Sequence, residues 1–136
     1  MNRVADGPVS PNSAAHSTRV LVADDNEPLV TIMTWAMEDQ GYDVRTCHNG
    51  LEAVEIAKTF HPDVVLLDIG MPVMNGLEAC KAIRLQPDMT DTLIIAQTAW
   101  GSEDMRAKTR EAGFDVHLVK PASLTEVVRL VATANM

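Results

Sequence analysis

The chain has 136 residues, of which 46% are hydrophobic and 22% charged, and its net charge is −8. This length predicts one domain that buries about two-thirds of the surface of its unfolded form. The acidic balance argues against direct nucleic-acid binding, which needs a basic patch, and no apolar run approaches the ~20 residues of a membrane span.

The N-terminus and the two cysteines both indicate a cytoplasmic location. The first six residues lack the apolar core of a signal peptide. Cys47 and Cys80 are too few and too far apart to suggest a disulfide framework or a zinc site. We therefore expect a protein of the reducing cytoplasm with no membrane association.

Residues 1–17 contain glycine, proline, serine and alanine without periodicity, which predicts a flexible tail. Residues 18–136 predict a single folded domain. In this part of the chain short apolar strands alternate with amphipathic helices.

The first half of the folded domain predicts two strands and two helices. The first strand is Arg19–Ala23, and the first helix covers about 27–40, with a proline in its first turn and a glycine just beyond its end. A second strand lies near Asp43–Cys47, and a second helix covers about 51–60. The residues expected on the buried stripes of these helices are Leu29, Ile32, Met33, Ala36 and Met37, then Ala53, Ile56, Ala57 and Phe60.

The second half predicts three more strands, at 63–67, 93–97 and Val116–Val119. The third and fourth helices cover about 76–85 and 102–112. A last helix opens with a capping-box pattern between Ser123 and Glu126. The residues expected to face inward from these helices are Leu77, Cys80 and Ile83, then Met105, Thr109 and Ala112, then Leu124, Val127, Val128 and Val131.

Five strands that are each followed by a helix predict a parallel sheet covered by helices on both faces. Right-handed crossovers leave two common strand orders open, and one of them is 2-1-3-4-5. In that order the first and third strands are neighbours. Asp24 and Asp25, which follow the first strand, would then meet Asp68, which follows the third.

Polar side chains stand at the carboxyl ends of the strands, where open α/β sheets bind their ligands. Asp24-Asp25, Asp68, Thr98 and Lys120 follow the first, third, fourth and fifth strands in chain order. One polar residue after a strand means little, because loops are polar in any case. Four strand ends that carry this set predict one shared pocket.

The charges of this pocket predict a bound cation. Like unit charges about 4 Å apart repel by about 4 kcal/mol at an effective dielectric near 20. Because three carboxylates and one ammonium leave a net charge of −2, either a carboxyl takes up a proton or a divalent cation fills the site. Oxygen ligands favour Mg²⁺, and the predicted ligands are Asp25, Asp68 and a main-chain carbonyl assigned to Gly70, with Asp24 acting through a bound water.

The same residues predict phosphoryl transfer. A bound Mg²⁺ polarises phosphoryl oxygens, and a carboxylate such as Asp68 can act as a nucleophile that forms an acyl phosphate. Lys120 is expected to pair with a phosphoryl oxygen as a point charge. Thr98 is expected to rotate its hydroxyl onto the phosphoryl group, which would couple capture of the phosphoryl group to a conformational switch.

The chain contains the motifs Val20-Leu21-Val22-Ala23-Asp24-Asp25-Asn26, Asp63-Val64-Val65-Leu66-Leu67-Asp68-Ile69-Gly70-Met71-Pro72, Asn75-Gly76, Thr98-Ala99 and Val119-Lys120-Pro121. These motifs resemble those of the receiver domains of two-component response regulators, over about residues 18–134. The resemblance implies a flavodoxin-like (βα)5 doubly wound parallel sheet of order 2-1-3-4-5, a cis Lys120-Pro121 bond, and an Asp68 that takes phosphate from a histidine kinase or histidine phosphotransfer protein. It implies no enzymatic activity beyond Mg²⁺-dependent self-phosphorylation and slow self-dephosphorylation, and signalling through an unknown downstream protein.

Three positions depart from the commonest pattern of that family. His117 stands three residues before the lysine, where receivers usually carry an aromatic switch residue, and it adds a possible pH dependence. Gly70 and Trp100 occupy the two positions that tune phosphate lifetime in the family.

The chain ends soon after the fifth predicted helix, which leads us to expect either a stand-alone regulator or a receiver cut from a larger protein such as a hybrid kinase.

Two other functions compete with the signalling switch. An aspartyl-nucleophile phosphatase usually carries a second acid two residues after the nucleophile, where this chain has Gly70. A flavin-binding module is disfavoured because residues 24–27 are acidic where a phosphate cradle needs amide donors.

Overall fold

A computed structural model describes residues 17–135, in which five strands alternate with five helices. The predicted tail over 1–17 lies outside these residues apart from Ser17. No helix in the described range is long and apolar enough to cross a membrane. The elements are β1 Arg19–Ala23, α1 Glu27–Asp39, β2 Asp43–Cys47, α2 Gly50–Phe60, β3 Val64–Asp68, α3 Gly76–Arg84, β4 Leu93–Thr98, α4 Glu103–Ala112, β5 Val116–Val119, α5 Leu124–Ala132 and a 3-10 turn, Thr133–Asn135.

The five strands form one parallel sheet of order β2-β1-β3-β4-β5, which confirms the predicted order. Its register aligns the polar strand ends. Ala23 of β1 lies beside Leu67 of β3, so Asp24 and Asp68 follow at the same level. Across the other neighbours, Asp68 pairs with Gln97, and Thr98 pairs with Val119, which precedes Lys120. Asp24, Asp68, Thr98 and Lys120 therefore all lie at the carboxyl edge of the sheet.

Two hydrophobic layers, one on each face of the sheet, hold the strands in this register. Because successive strand residues point to opposite faces, Val65 and Leu67 of β3 belong to the layer that contains α2, α3 and Ala112 of α4, whereas Val64 and Leu66 belong to the layer of α1 and α5. Every residue of β3 is buried. The central strand that carries Asp68 is thus fixed from both sides.

Both cysteines lie in the first of these layers, and both are free and buried. Burial raises the pKa of the Cys47 thiol to about 12, with a smaller contribution from the charge of Glu52. Burial likewise raises the pKa of Cys80 to about 12. The two thiols therefore act as small apolar core residues.

Each helix begins after an Asn or Ser whose side chain accepts a backbone N–H from the first turn. Such a cap stabilises a helix by about 1 kcal/mol. At the predicted capping box, Ser123 accepts the amide of Glu126, whereas the reciprocal pair of bonds is formed between Asn75 and Glu78 at the start of α3. The capping residues are Asn26, Asn49, Asn75, Ser102 and Ser123.

Two predictions of buried helix residues were wrong. Ile32 of α1 is 45% exposed, because the stripe that meets the sheet runs through Val30, Met33 and Met37 instead. Leu124 is 37% exposed, because it occupies the first turn of α5, ahead of the buried Val127. The buried stripes are narrower than the apolar stripes of the sequence.

Several smaller differences concern the same helices. Val54 of α2 is buried although it was not expected to be. Some residues predicted to be inward-facing are only partly buried. They are Leu29, Ala36, Ile56, Leu77, Met105 and Val128.

Gly76 allows α3 to start directly against the end of β3. A Cβ on this residue would meet the carbonyl oxygen of Asp68, and it would lie 2.9 Å from the Cα of Ile69. The amide of Gly76 donates to the carbonyl of Ile69 at 2.9 Å. The loop between Asp68 and α3 is thus closed by a backbone contact that a side chain would disrupt.

We predict that Gly76→Ala lowers the free energy of unfolding by about 2–3 kcal/mol, because overpacking against backbone atoms forces the strand end or the helix to shift. Urea unfolding measures the loss. Gly70→Ala is the matched control, since its added Cβ would find only the Trp100 ring, at 3.7 Å. Equal losses in the two variants would refute this reason for the glycine.

Candidate functional site

Three carboxylates meet at the carboxyl edge of the sheet, as the sequence predicts. Asp24, Asp25 and Asp68 each offer an oxygen atom, and these three atoms lie within 4.8 Å of one another. Asp24 and Asp68 are 2% and 7% exposed, whereas Asp25 is open to solvent. The cluster therefore forms a pocket in which Asp24 and Asp68 are buried and Asp25 is exposed at the entrance.

Lys120 supplies the positive charge of this pocket. Its Nζ lies 2.8 Å from Oδ2 of Asp24 and 3.3 Å from Oδ1 of Asp68. Its amide donates to the carbonyl of Thr98 at 2.8 Å, which fixes the end of β5 beside the end of β4. The Lys120-Pro121 peptide bond is cis, as the resemblance implies.

The proton affinities of the pocket reflect burial and crowding of like charges. Burial raises the pKa of Asp68, the neighbouring Asp24 carboxylate raises it further, and Lys120 only partly opposes both effects. Burial disfavours the charge on Lys120, but its hydrogen bond to Asp24 and its attraction to Asp68 outweigh this, so the pKa of Lys120 is raised. Keeping Asp68 ionised in this pocket therefore costs electrostatic free energy.

The donor set fits a hard divalent cation. All three side chains offer oxygen, which suits Mg²⁺, and their negative charge exceeds that of the one lysine. Asp24 is already engaged at both oxygens, because Oδ1 accepts the amide of Asn26 at 2.9 Å and Oδ2 contacts Lys120. Asp24 is therefore better suited to hold a water of the ion than to bind the ion directly.

Gly70 follows Asp68 in the loop that borders the pocket. Its amide approaches Oδ1 of Asp68 at 3.4 Å. The ring of Trp100 covers it, since two ring atoms lie 3.7 Å from the position of a Cβ on Gly70. Two of the three positions that depart from the family pattern, Gly70 and Trp100, thus lie beside each other.

Thr98 lies at the end of β4 and is fully buried. Its hydroxyl oxygen accepts the backbone N–H of Trp100 at 3.1 Å. The hydroxyl and the loop after β4 are therefore linked, and a rotation of Thr98 would release the Trp100 amide.

His117 lies outside the acidic pocket. It bridges the loop after β4 and helix α4, with Nε2 3.1 Å from the carbonyl oxygen of Trp100 and Nδ1 3.0 Å from the hydroxyl of Thr109. The sequence indicated Thr109 only as a buried helix residue. The sequence also gave no site role to Asn26. Its position before a helix indicates a helix cap, but does not indicate that its backbone amide would donate to Asp24.

Comparison with known proteins supports this geometry. The family model described as "Response regulator receiver domain" matches residues 20–132. The alkaline phosphatase synthesis transcriptional regulatory protein PhoP of Bacillus subtilis is 38% identical over 109 residues, which make up 80% of this chain. The match covers 45% of that relative, so this chain spans about half of its length.

Solved structures agree with the sequence match. The receiver domain of the sensor histidine kinase PA1611 from Pseudomonas aeruginosa, described with a magnesium ion in its active-site cleft, has a TM-score of 0.80 at 28% identity, covering 88% of this chain and 98% of that one. The chemotaxis response regulator CheY4 of Vibrio cholerae has a TM-score of 0.81 at 29% identity, covering 88% and 99%.

We predict that Asp68→Asn leaves the fold intact and, in the presence of a chelator, melts at the wild-type temperature or above it. The substitution removes a buried charge that Asp24 repels, and this gain offsets the lost attraction to Lys120. Calorimetry checks the melting temperature, with Asp104→Asn on the exposed face of α4 as control. A clear fall in the melting temperature of Asp68→Asn alone would contradict the dominance of repulsion.

Proposed function

Because this chain belongs to the response regulator receiver domain family, we propose that Asp68 accepts a phosphoryl group from the phosphohistidine of a histidine kinase or of a histidine phosphotransfer protein. The protein is a signalling domain of two-component systems. The observation that carries the proposal for Asp68 is its pairing with Lys120 beside two further acids.

The contacts of Asp68 leave one oxygen for attack. Among the described residues, its polar contacts with Lys120 and Gly70 both involve Oδ1. We therefore assign Oδ2 as the nucleophile, which bonds to phosphorus while the bond from phosphorus to the donor nitrogen breaks. Lys120, already within 3.3 Å of Asp68, is placed to pair with a phosphoryl oxygen.

Thr98 is proposed to transmit the change. Its hydroxyl holds the Trp100 amide at rest, and turning it towards a phosphoryl oxygen exchanges that bond for a charge-assisted one. The Trp100 amide is then free, so the loop after β4 can move.

Mg²⁺ is the proposed cofactor. Asp25 and Asp68 with the carbonyl of Gly70 would hold the ion, and Asp24 would hold one of its waters. When bound, the ion neutralises charge on the phosphoryl oxygens. The magnesium described in the cleft of the PA1611 receiver domain supports the same choice here.

Apart from self-phosphorylation and slow self-dephosphorylation, we propose no enzymatic activity. The phosphatase alternative has no support, because the family match is to receivers and Gly70 provides no general acid. The proposed downstream target is a protein, since a net charge of −8 is unsuited to direct nucleic-acid contact. The two free thiols favour a cytoplasmic site of action.

We predict that incubation with acetyl phosphate and Mg²⁺ adds one phosphoryl group to the wild-type protein and none to Asp68→Asn. Intact-mass measurement followed by borohydride trapping of the acyl phosphate locates the modified residue. Asp104→Asn, which alters an exposed acid of α4, should be modified as the wild type is. Failure of the folded wild type to gain mass would overturn the proposal.

We also predict that Asp25→Asn weakens Mg²⁺ binding by on the order of tenfold or more without lowering the melting temperature, because Asp25 is an exposed ligand. Trp100 fluorescence reports binding, in a Trp35→Phe background that removes the other tryptophan. Glu103→Gln, outside the pocket, is the charge-matched control. Unchanged affinity in Asp25→Asn would exclude it as a ligand.

A further inference from the structure

Strand β2 is an open edge of the sheet. It pairs with β1 on one side, and no strand of the described residues lies on its other side. The amide of Asp43 and the carbonyl of Cys47 both bond to the residues that flank β1. Because the backbone groups of a strand face its two sides alternately, those of Val44 and Thr46 point away from β1. The edge therefore offers the amide and the carbonyl of both residues to another strand.

Two side chains of β2 have opposite charges and lie on the same face of the sheet. Asp43 and Arg45 are exposed on the face covered by α2, where the Arg45 guanidinium lies 4.7 Å from the centre of the Phe60 ring. Among the residues that the structure describes, neither side chain forms an ion pair. Charges on an edge strand often keep other strands away, but the effect depends on which charges come to lie opposite one another.

The order of these charges makes the edge complementary to itself. Two copies related by a two-fold axis pair their edges antiparallel. If Val44 lies opposite the same residue of the second copy, each Asp43 lies opposite an Arg45. In the other register that joins the free backbone groups, Arg45 lies on the axis and two guanidinium groups face each other. Opposite charges across a strand pair stabilise it and like charges destabilise it, so the register centred on Val44 is favoured.

The other face of the same edge has an uncovered apolar surface. A groove with a volume of about 380 Å³ lies between α1 and β2, and its lining includes Thr31, Trp35, Val44 and Thr46. Trp35 is 67% exposed. Residues directly opposite in an antiparallel pair point to the same face, so pairing would bring the two grooves together over the Val44 pair. A tryptophan beside an open edge is well suited to cover a neighbouring strand.

From these features we propose that the β2 edge binds the β2 edge of a second copy of this chain, with the two-fold axis at Val44, so that two five-stranded sheets become one. The same surface is used by both copies, which closes the assembly at a dimer. The Val44 amides and carbonyls bond across the axis, and the two pairs of Asp43 and Arg45 flank it. This dimer does not depend on the phosphorylation of Asp68.

Two opposing effects set the strength of the dimer. The net charge of −8 on each copy favours separation. In about 0.15 M salt this repulsion is screened beyond about 8 Å, whereas the paired charges of Asp43 and Arg45 are closer than that. An interface made by one short strand and one helix face belongs to the small, weak class, so we expect a dissociation constant on the order of 100 µM.

Sedimentation equilibrium in about 0.15 M salt, from about 10 µM to about 1 mM protein, tests the proposal. The mass of the wild type should rise from 14.8 kDa towards twice that value. Asp43→Arg and Arg45→Asp should each remain monomeric, because like charges then face each other on both sides of the axis. An equimolar mixture of the two variants should dimerise, since the two bases of one chain meet the two acids of the other.

Glu111→Arg is the control for net charge, since it makes the same change as Asp43→Arg at an exposed acid of α4, and it should dimerise at least as well as the wild type. Circular dichroism verifies that each variant is folded. A wild type that stays monomeric at the highest concentration would overturn the proposal and leave the edge to an extended segment of another protein. A folded mixture that fails to dimerise would overturn it as well.

A disulfide test measures the register. In the proposed pair the two Cα atoms of residue 44 lie about 5.5 Å apart, within the range of a disulfide, so Val44→Cys should form a covalent dimer on oxidation with copper phenanthroline. The two copies of residue 46 lie roughly 13 Å apart, so Thr46→Cys should not. Cys47 and Cys80 are buried and do not compete. Equal cross-linking of the two variants, or none in either, would refute the axis at Val44.

Discussion

Crowding of three carboxylates around one ammonium is the constraint on which the site depends. Lys120 contacts Asp24 at 2.8 Å and Asp68 at 3.3 Å, yet one positive charge cannot balance three negative ones. A repulsion of about 4 kcal/mol between two such acids is outweighed by burial of the aliphatic residues of β3, each worth about 1.5–3 kcal/mol. The hydrophobic layers therefore maintain a pocket whose excess negative charge is suited to a cation.

Much of the fold could be predicted from the sequence, and so could most of the residues that form the pocket, because both depend on local patterns. The strands begin and end within a residue of their predicted limits, and parallel strands bring their carboxyl ends to one edge. That rule predicted that Asp24, Asp25 and Asp68 would meet if the first and third strands were neighbours, and they do meet. It left the strand order between two choices, which the observed sheet resolves as 2-1-3-4-5.

The remainder depends on tertiary contacts that periodicity does not encode. Ile32 is apolar and correctly spaced, but the face of α1 that packs against the sheet contains Val30 instead. Thr109 became a partner of His117 only when α4 came to lie beside β5. The need for glycine at position 76 follows from the approach of two backbones that are eight residues apart in the chain. Each case requires knowledge of where a neighbouring element lies.

The burial of both cysteines has a practical consequence for testing the proposed switch in solution. Only thiolates react readily with alkylating probes, and Cys47 and Cys80 are enclosed and remain protonated at neutral pH. A new cysteine placed on the exposed face of α4 would therefore take up a spectroscopic label selectively in the native protein. Distances from that label to a second introduced one could be recorded before and after activation, without first removing the natural thiols from the core.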